Sequence, residues 1–210
     1  MKNQVSKWFQ VASIVIAICG GEIRGNEANG GPLPHVKVRV IDLAKVPPRT
    51  LQKAYKYVSY VFSQAGVSID WTICTPGIND LAASNPCQQE LATDEISLEI
   101  DLKKPQSATE DVLAFTFEEA GNVTRRTGVW FPAVENTATK FQAEVFRVLG
   151  AAVSHELGHV LLGANAHSRH GIMQPHWARE QMDLAGIGRL LFTPEQAIRI
   201  RAEASRSVGP

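Results

Sequence analysis

The feature that most constrains this chain is the segment His155-Glu156-Leu157-Gly158-His159. Two imidazoles four residues apart on a helix lie one turn apart on one face, so both can point at one metal ion. The surrounding residues ask for that helix. Phe141, Val145, Val148, Leu149, Ala152, His155, Glu156 and His159 fall on one broad stripe, which also faces a core. Thr137 or Thr139 is expected to cap this helix and Gly163 to end it. The histidine pair then sits in its last turns, and a loop beyond carries His167, His170 and Met173.

The rest of the chain predicts a sheet for this helix to pack on. Residues His35 to Asp42 alternate apolar and polar, the pattern of a half-buried strand. Leu51, Ala54, Tyr55, Val58, Val61, Phe62 and Ala65 follow at helical spacing, with Thr50 as the expected cap and Gly66 as the stop. Val67, Ile69, Trp71 and Ile73 alternate again. Strand, amphipathic helix and strand make a crossover unit, so the two strands are expected to be parallel. A third strand is expected through Ile96, Leu98, Ile100 and Leu102, and a short fourth over Leu113 to Phe117. Thr127 to Val134 reads as a further strand, placed at an edge by Pro132. Thr193-Pro194-Glu195-Gln196 predicts a last helix, with a cap, a proline in the first turn and a capping-box glutamine. That helix is expected to run to about Ser205. The fold class is therefore α/β (α+β): one domain with a mixed, mostly parallel sheet, an antiparallel edge strand, a long helix bearing the histidines and a C-terminal helix.

The start of the chain differs. Lys2 and Lys7 precede an apolar run from Phe9 to Cys19, with Gly20 and Gly21 after it. This reads as a signal peptide over 1–25, too short for a comfortable membrane span. An uncleaved N-terminal membrane anchor is the alternative. Residues 26–34 are a Gly- and Pro-rich lead-in, and 35–210 form the folded domain. The expected location is secreted or periplasmic. Once the leader is removed, Cys74 and Cys87 remain, and an even pair in an exported chain is expected to form a disulfide. Lys plus Arg, 21, balances Asp plus Glu, 21, so the net charge is zero. That argues against a nucleic-acid-binding or polybasic membrane surface as the main role, and a monomer is expected.

The motif itself points to hydrolysis. A catalytic Zn2+ takes three protein ligands plus water, lowers the pKa of that water and polarises a carbonyl. A carboxylate beside it acts as the proton carrier, and Glu156 is the candidate. Here the chain resembles the metzincin clan of zinc endopeptidases, whose pattern is His-Glu-x-x-His-x-x-Gly-x-x-His followed by a methionine turn. The resemblance implies His155 and His159 as zinc ligands and Glu156 as general base. It implies Gly163 as the glycine ending the helix and His167, followed by Ser168, as the third ligand, as in the matrixin branch. Gly171-Ile172-Met173-Gln174-Pro175 is similar to the methionine turn beneath the metal. The implied activity is peptide-bond hydrolysis on a protein or peptide bound in extended form along an edge strand, here expected at Thr127 to Val134. No cysteine in the short lead-in could act as a latency switch.

The chain departs from the clan pattern in spacing. Gly163 follows His159 by four residues rather than three, the clan's third-histidine position is Asn165, and His167 lies eight residues after His159. One extra residue turns a helical side chain by about 100°, so Asn165 and His170 stay open beside His167 as third ligand. Two further readings stand. In a gluzincin arrangement the third ligand would be Glu180. A non-catalytic zinc module would keep the histidines without needing Glu156 as base.

Overall fold

The computed structural model of the protein describes residues 33–74, 85–104, 112–163 and 165–206. The expected leader, and the lead-in through residue 32, lie outside the described residues. Strand β1 (His35–Asp42) has the expected bounds, and α1 (Pro48–Gln64) leads to β2 (Ser68–Cys74). Helix α1 starts earlier than expected. Pro48 occupies its first turn, where the missing N–H costs nothing, so Thr50 lies inside the helix rather than capping it. Strands β1 and β2 are parallel, as the crossover requires. Strand β3 (Glu95–Asp101) pairs parallel on the other side of β1.

Strands β4 (Ala114–Glu119) and β5 (Asn122–Trp130) form an antiparallel hairpin that extends the sheet past β3, giving the order β2-β1-β3-β5-β4. The hairpin turns on Ala120 and Gly121, with φ of +49° and +80°, the two left-handed positions a tight two-residue hairpin needs. Alternate residues Val36, Val38 and Val40 and their neighbours Ile96, Leu98 and Ile100 are buried in one apolar core. That core also holds Val58, Val61 and Phe62 of α1. On the opposite parity, Arg39 makes a bidentate ion pair with Glu95, at 3.1 and 2.6 Å, with both side chains buried. Arg39 Nη1 also donates to Gln89 O at 2.5 Å, tying the connection before β3 onto the sheet.

Three expectations are corrected downstream. Thr127 to Val134 is not an edge strand. The strand stops at Trp130, and α2 (Phe131–Phe141) begins at once with Pro132 in its first turn. Strand β5 lies between β3 and β4, so the edge belongs to β4. Proline marks a sheet edge or a helix start, and here it marks the helix. Thr137 and Thr139 therefore fall inside α2, and Thr139 Oγ1 donates to Glu135 O at 2.9 Å. The histidine-bearing helix is α3 (Val145–Leu162), separated from α2 by a left-handed turn at Gln142. Phe141 ends α2 and is not part of the α3 stripe.

Helix α3 packs on α1, β4 and β5. The chain continues through α4 (Arg179–Gly186), a short helix not anticipated from sequence, to α5 (Pro194–Arg206). The capping box at α5 is formed: Thr193 N donates to Gln196 Oε1 at 3.0 Å, and Gln196 N to Thr193 Oγ1 at 3.3 Å. Cys74 and Cys87 are joined in a disulfide with Cα atoms 5.5 Å apart. That bond is compatible with an extracellular location. The result is a mixed α/β architecture with a mostly parallel five-stranded sheet and one antiparallel pair.

Candidate metal centre

Helix α3 positions His155, Glu156 and His159 because its two other faces are occupied. Leu149 and Leu157 are fully buried in the core. Gly158 meets the segment after the helix so closely that an added Cβ would lie 2.5 Å from Met173 Sδ. Met173 is itself fully buried and fills the space beneath the last turns of α3. At Gly163 the chain leaves the helix with φ of +94°, a conformation that favours glycine.

The returning loop is held from several sides. Arg199 of α5 donates to Leu162 O at 2.7 Å, satisfying a carbonyl at the end of α3. Gln196 Nε2 donates to Ala166 O at 3.0 Å. Ile172 N donates to Leu191 O at 2.8 Å. Ser168 N donates to Met173 O at 3.0 Å. These bonds bring His167 back over the helix despite the longer spacing.

The outcome is one group of three imidazoles. His155 Nε2 and His159 Nε2 lie 3.1 Å apart, and His159 Nε2 and His167 Nε2 lie 3.2 Å apart. All the ligand atoms of the group fall within 4.8 Å of one another. His170 and Glu180 are not in this group, and Asn165 is exposed. His155 Nδ1 donates to Ile172 O at 2.8 Å. That bond leaves the lone pair on Nε2, facing the other rings. His159 Nδ1 lies 3.5 Å from Gly163 O, which favours the same tautomer. Lone pairs of two rings 3.1 Å apart repel unless a proton or a cation lies between them. Tetrahedral nitrogen ligands about 2.0–2.1 Å from an ion would themselves be roughly 3.3 Å apart. The donor set therefore fits a metal ion, and the group could hold one.

Electrostatics agree with neutral, metal-ready rings. Burial pushes His155 down to about 4, against the opposing bond to Ile172 O, with His159 and His167 adding to the fall. Burial, then His167, lowers His159, while Gly163 O and Glu118 oppose the shift. His167, the most exposed of the three, is lowered by burial and by His176. Trp177 stands edge-on to His155 with ring centroids 5.6 Å apart.

Glu156 is not one of the three grouped ligands. It is 7% exposed, and its Oε2 accepts a hydrogen bond from Thr116 Oγ1 of β4 at 2.6 Å. Burial raises its carboxyl to about 7, with the Thr116 bond opposing. Thr116, Gln196 and Arg199 are the site residues that sequence reasoning missed. Gln196 had a visible signal, its capping box; Thr116 had none. Trp130, the last residue of β5, is buried and stacked on Phe115 with ring centroids 4.7 Å apart. Comparison with known proteins finds no matching family model and no matching curated protein.

Proposed function

We propose that this chain is an exported zinc-dependent endopeptidase. The observation that carries the reading is the convergence of His155, His159 and His167 on one point, with the buried Glu156 carboxylate one residue from the first of them. Under this reading the three histidines hold Zn2+. Bound there, the ion supplies Lewis acidity to the scissile carbonyl and lowers the pKa of the attacking water.

The chain's own residues do the rest. Glu156 takes a proton from the attacking water and delivers it to the leaving amine. A carboxyl raised to about 7 by burial suits both halves of that task near neutral pH. His155 stays neutral because it is buried and because its Nδ1 proton is held by Ile172 O. Strand β4 is the antiparallel end of the sheet and packs against α3. An extended substrate pairs with its main chain there, rather than along the Thr127 to Val134 segment expected from sequence. Methionine-turn similarity at Gly171-Ile172-Met173 and the disulfide add support for a metzincin-like exported enzyme.

The test compares cleavage of a peptide library by the zinc-loaded protein and by Glu156→Gln prepared identically. Cleavage by the wild type that disappears in the variant supports the reading. Equal cleavage by both removes Glu156 as base. Zinc binding without cleavage by either moves the assignment to a non-catalytic zinc module.

A further inference from the structure

A side-chain hydrogen bond links β4, the last strand in the sheet order, to the candidate base. Thr116 Oγ1 of β4 donates to Glu156 Oε2 at 2.6 Å. A hydroxyl has one proton to give, so this bond commits it. The Thr116 oxygen also lies 3.2 Å from Thr127 Oγ1, whose own proton goes to Phe115 O at 2.7 Å. Thr116 is thus fixed from β5 as well as by the strand it belongs to.

The pairing between β4 and β5 explains the aim. Thr116 pairs with Thr127, but Glu118 pairs with Val123, so residues 124–126 stand opposite Phe117 alone. Such an irregularity bends a strand and re-aims the side chains beside it. Thr116 is the last regularly paired residue before it.

We propose that Thr116 is a positioning residue for Glu156, and that it ties the base to the strand that receives substrate. This inference rests on the peptidase reading above. One carboxylate oxygen is taken up by Thr116, and the other is left to work at the three-histidine group. Strand β4 offers its main chain to the substrate and its Thr116 hydroxyl to the base. Losing the hydroxyl frees the carboxylate to rotate without altering the main-chain edge. The loss therefore falls on kcat and spares KM.

The test uses the full zinc-loaded chain with Thr116→Val and Thr116→Ser. Zinc content is expected to be equal in all three proteins. Thr116→Val is expected to lower kcat by between about tenfold and a hundredfold, with KM within about threefold, and Thr116→Ser to restore most of the loss. A second readout needs no activity: thermal unfolding of the metal-free proteins, with Thr116→Val made in the Glu156 chain and in Glu156→Leu. Stranding a buried carboxylate is expected to lower Tm by on the order of 5 °C, and the shift is expected to shrink in the leucine background. Equal shifts in the two backgrounds overturn the proposal, as does a Thr116→Val protein with wild-type kcat or an equal loss in the serine variant. If the wild type cleaves nothing, the peptidase reading falls. The unfolding pair then decides by itself whether Thr116 holds Glu156.

Discussion

Gly158→Ala gives a quantitative test of how α3 packs on the segment that follows it. Helix propensity taken by itself favours alanine by up to about 1 kcal/mol in a helix interior. The structure predicts the opposite sign. An added Cβ would meet Met173 Sδ at 2.5 Å and Phe192 Cε1 at 2.9 Å, and both side chains are buried. Overpacking of this kind typically costs about 1–3 kcal/mol. The net expectation is a loss of roughly 1–2 kcal/mol, a fall in Tm of about 3–6 °C for a domain of this size. Met173 must move, and Ile172 O, which accepts from His155 Nδ1, moves with it. Weakening such a supporting bond lowers metal affinity by about tenfold or more. Thermal unfolding by circular dichroism and zinc competition with a chromophoric chelator measure the two effects. In a Met173→Ala background the Gly158→Ala change is expected to be close to neutral, since its main obstacle is gone. A rise in Tm for Gly158→Ala in the wild-type background would refute the packing described here.

Ala120 sits at φ of +49° in the β4–β5 hairpin, so Ala120→Gly or Ala120→Asn is expected to raise stability by about 0.5–1 kcal/mol in urea unfolding. Glu95→Ala leaves the buried Arg39 guanidinium without its partner, and a loss of about 3–5 kcal/mol is expected from the same assay. The metal-free protein carries two opposed pH effects. His155 is lowered in the folded state, so its contribution is present above its ordinary pKa and lost as pH falls toward about 4. Glu156 is raised, so its contribution is present below its ordinary pKa and lost as pH rises through about 7. The two slopes oppose each other between about pH 4.5 and 6.5. Metal-free Glu156→Gln is therefore expected to gain stability with pH more steeply than the wild type in that window, and an unchanged slope would contradict the assignment.

Much of the fold was legible because β1, α1 and β3 announce themselves by unmixed periodicity. The alternation from His35 to Asp42 leaves one choice of face, and the bounds of β1 coincide with it. Legibility fails where an apolar run crosses from one element to the next. Val129, Trp130 and Phe131 end a strand and begin a helix without a polar break, and Pro132 is compatible with both readings. The hairpin was hidden because Ala120 takes a left-handed position where asparagine or glycine is usual. Helix α4 is short, and its buried residues, Gln181, Met182 and Ala185, make a weak stripe.

In the site, His155, Glu156 and His159 were legible because helical geometry alone relates them. The path to His167 was not. It depends on Arg199, Gln196 and Leu191 gripping the loop from distant parts of the chain. Thr116 was invisible for a related reason: its neighbour is chosen by strand register and by the packing of β4 on α3, neither of which leaves a local pattern.

The account turns on three histidines acting as one metal centre, and calorimetric zinc titration tests that most directly. One ion per chain is predicted for the wild type. His167→Ala is predicted to weaken binding by about a hundredfold or more, with Asn165→Ala and His170→Ala close to wild type. Unchanged affinity in His167→Ala, or a loss confined to Asn165→Ala or His170→Ala, would contradict the centre described here.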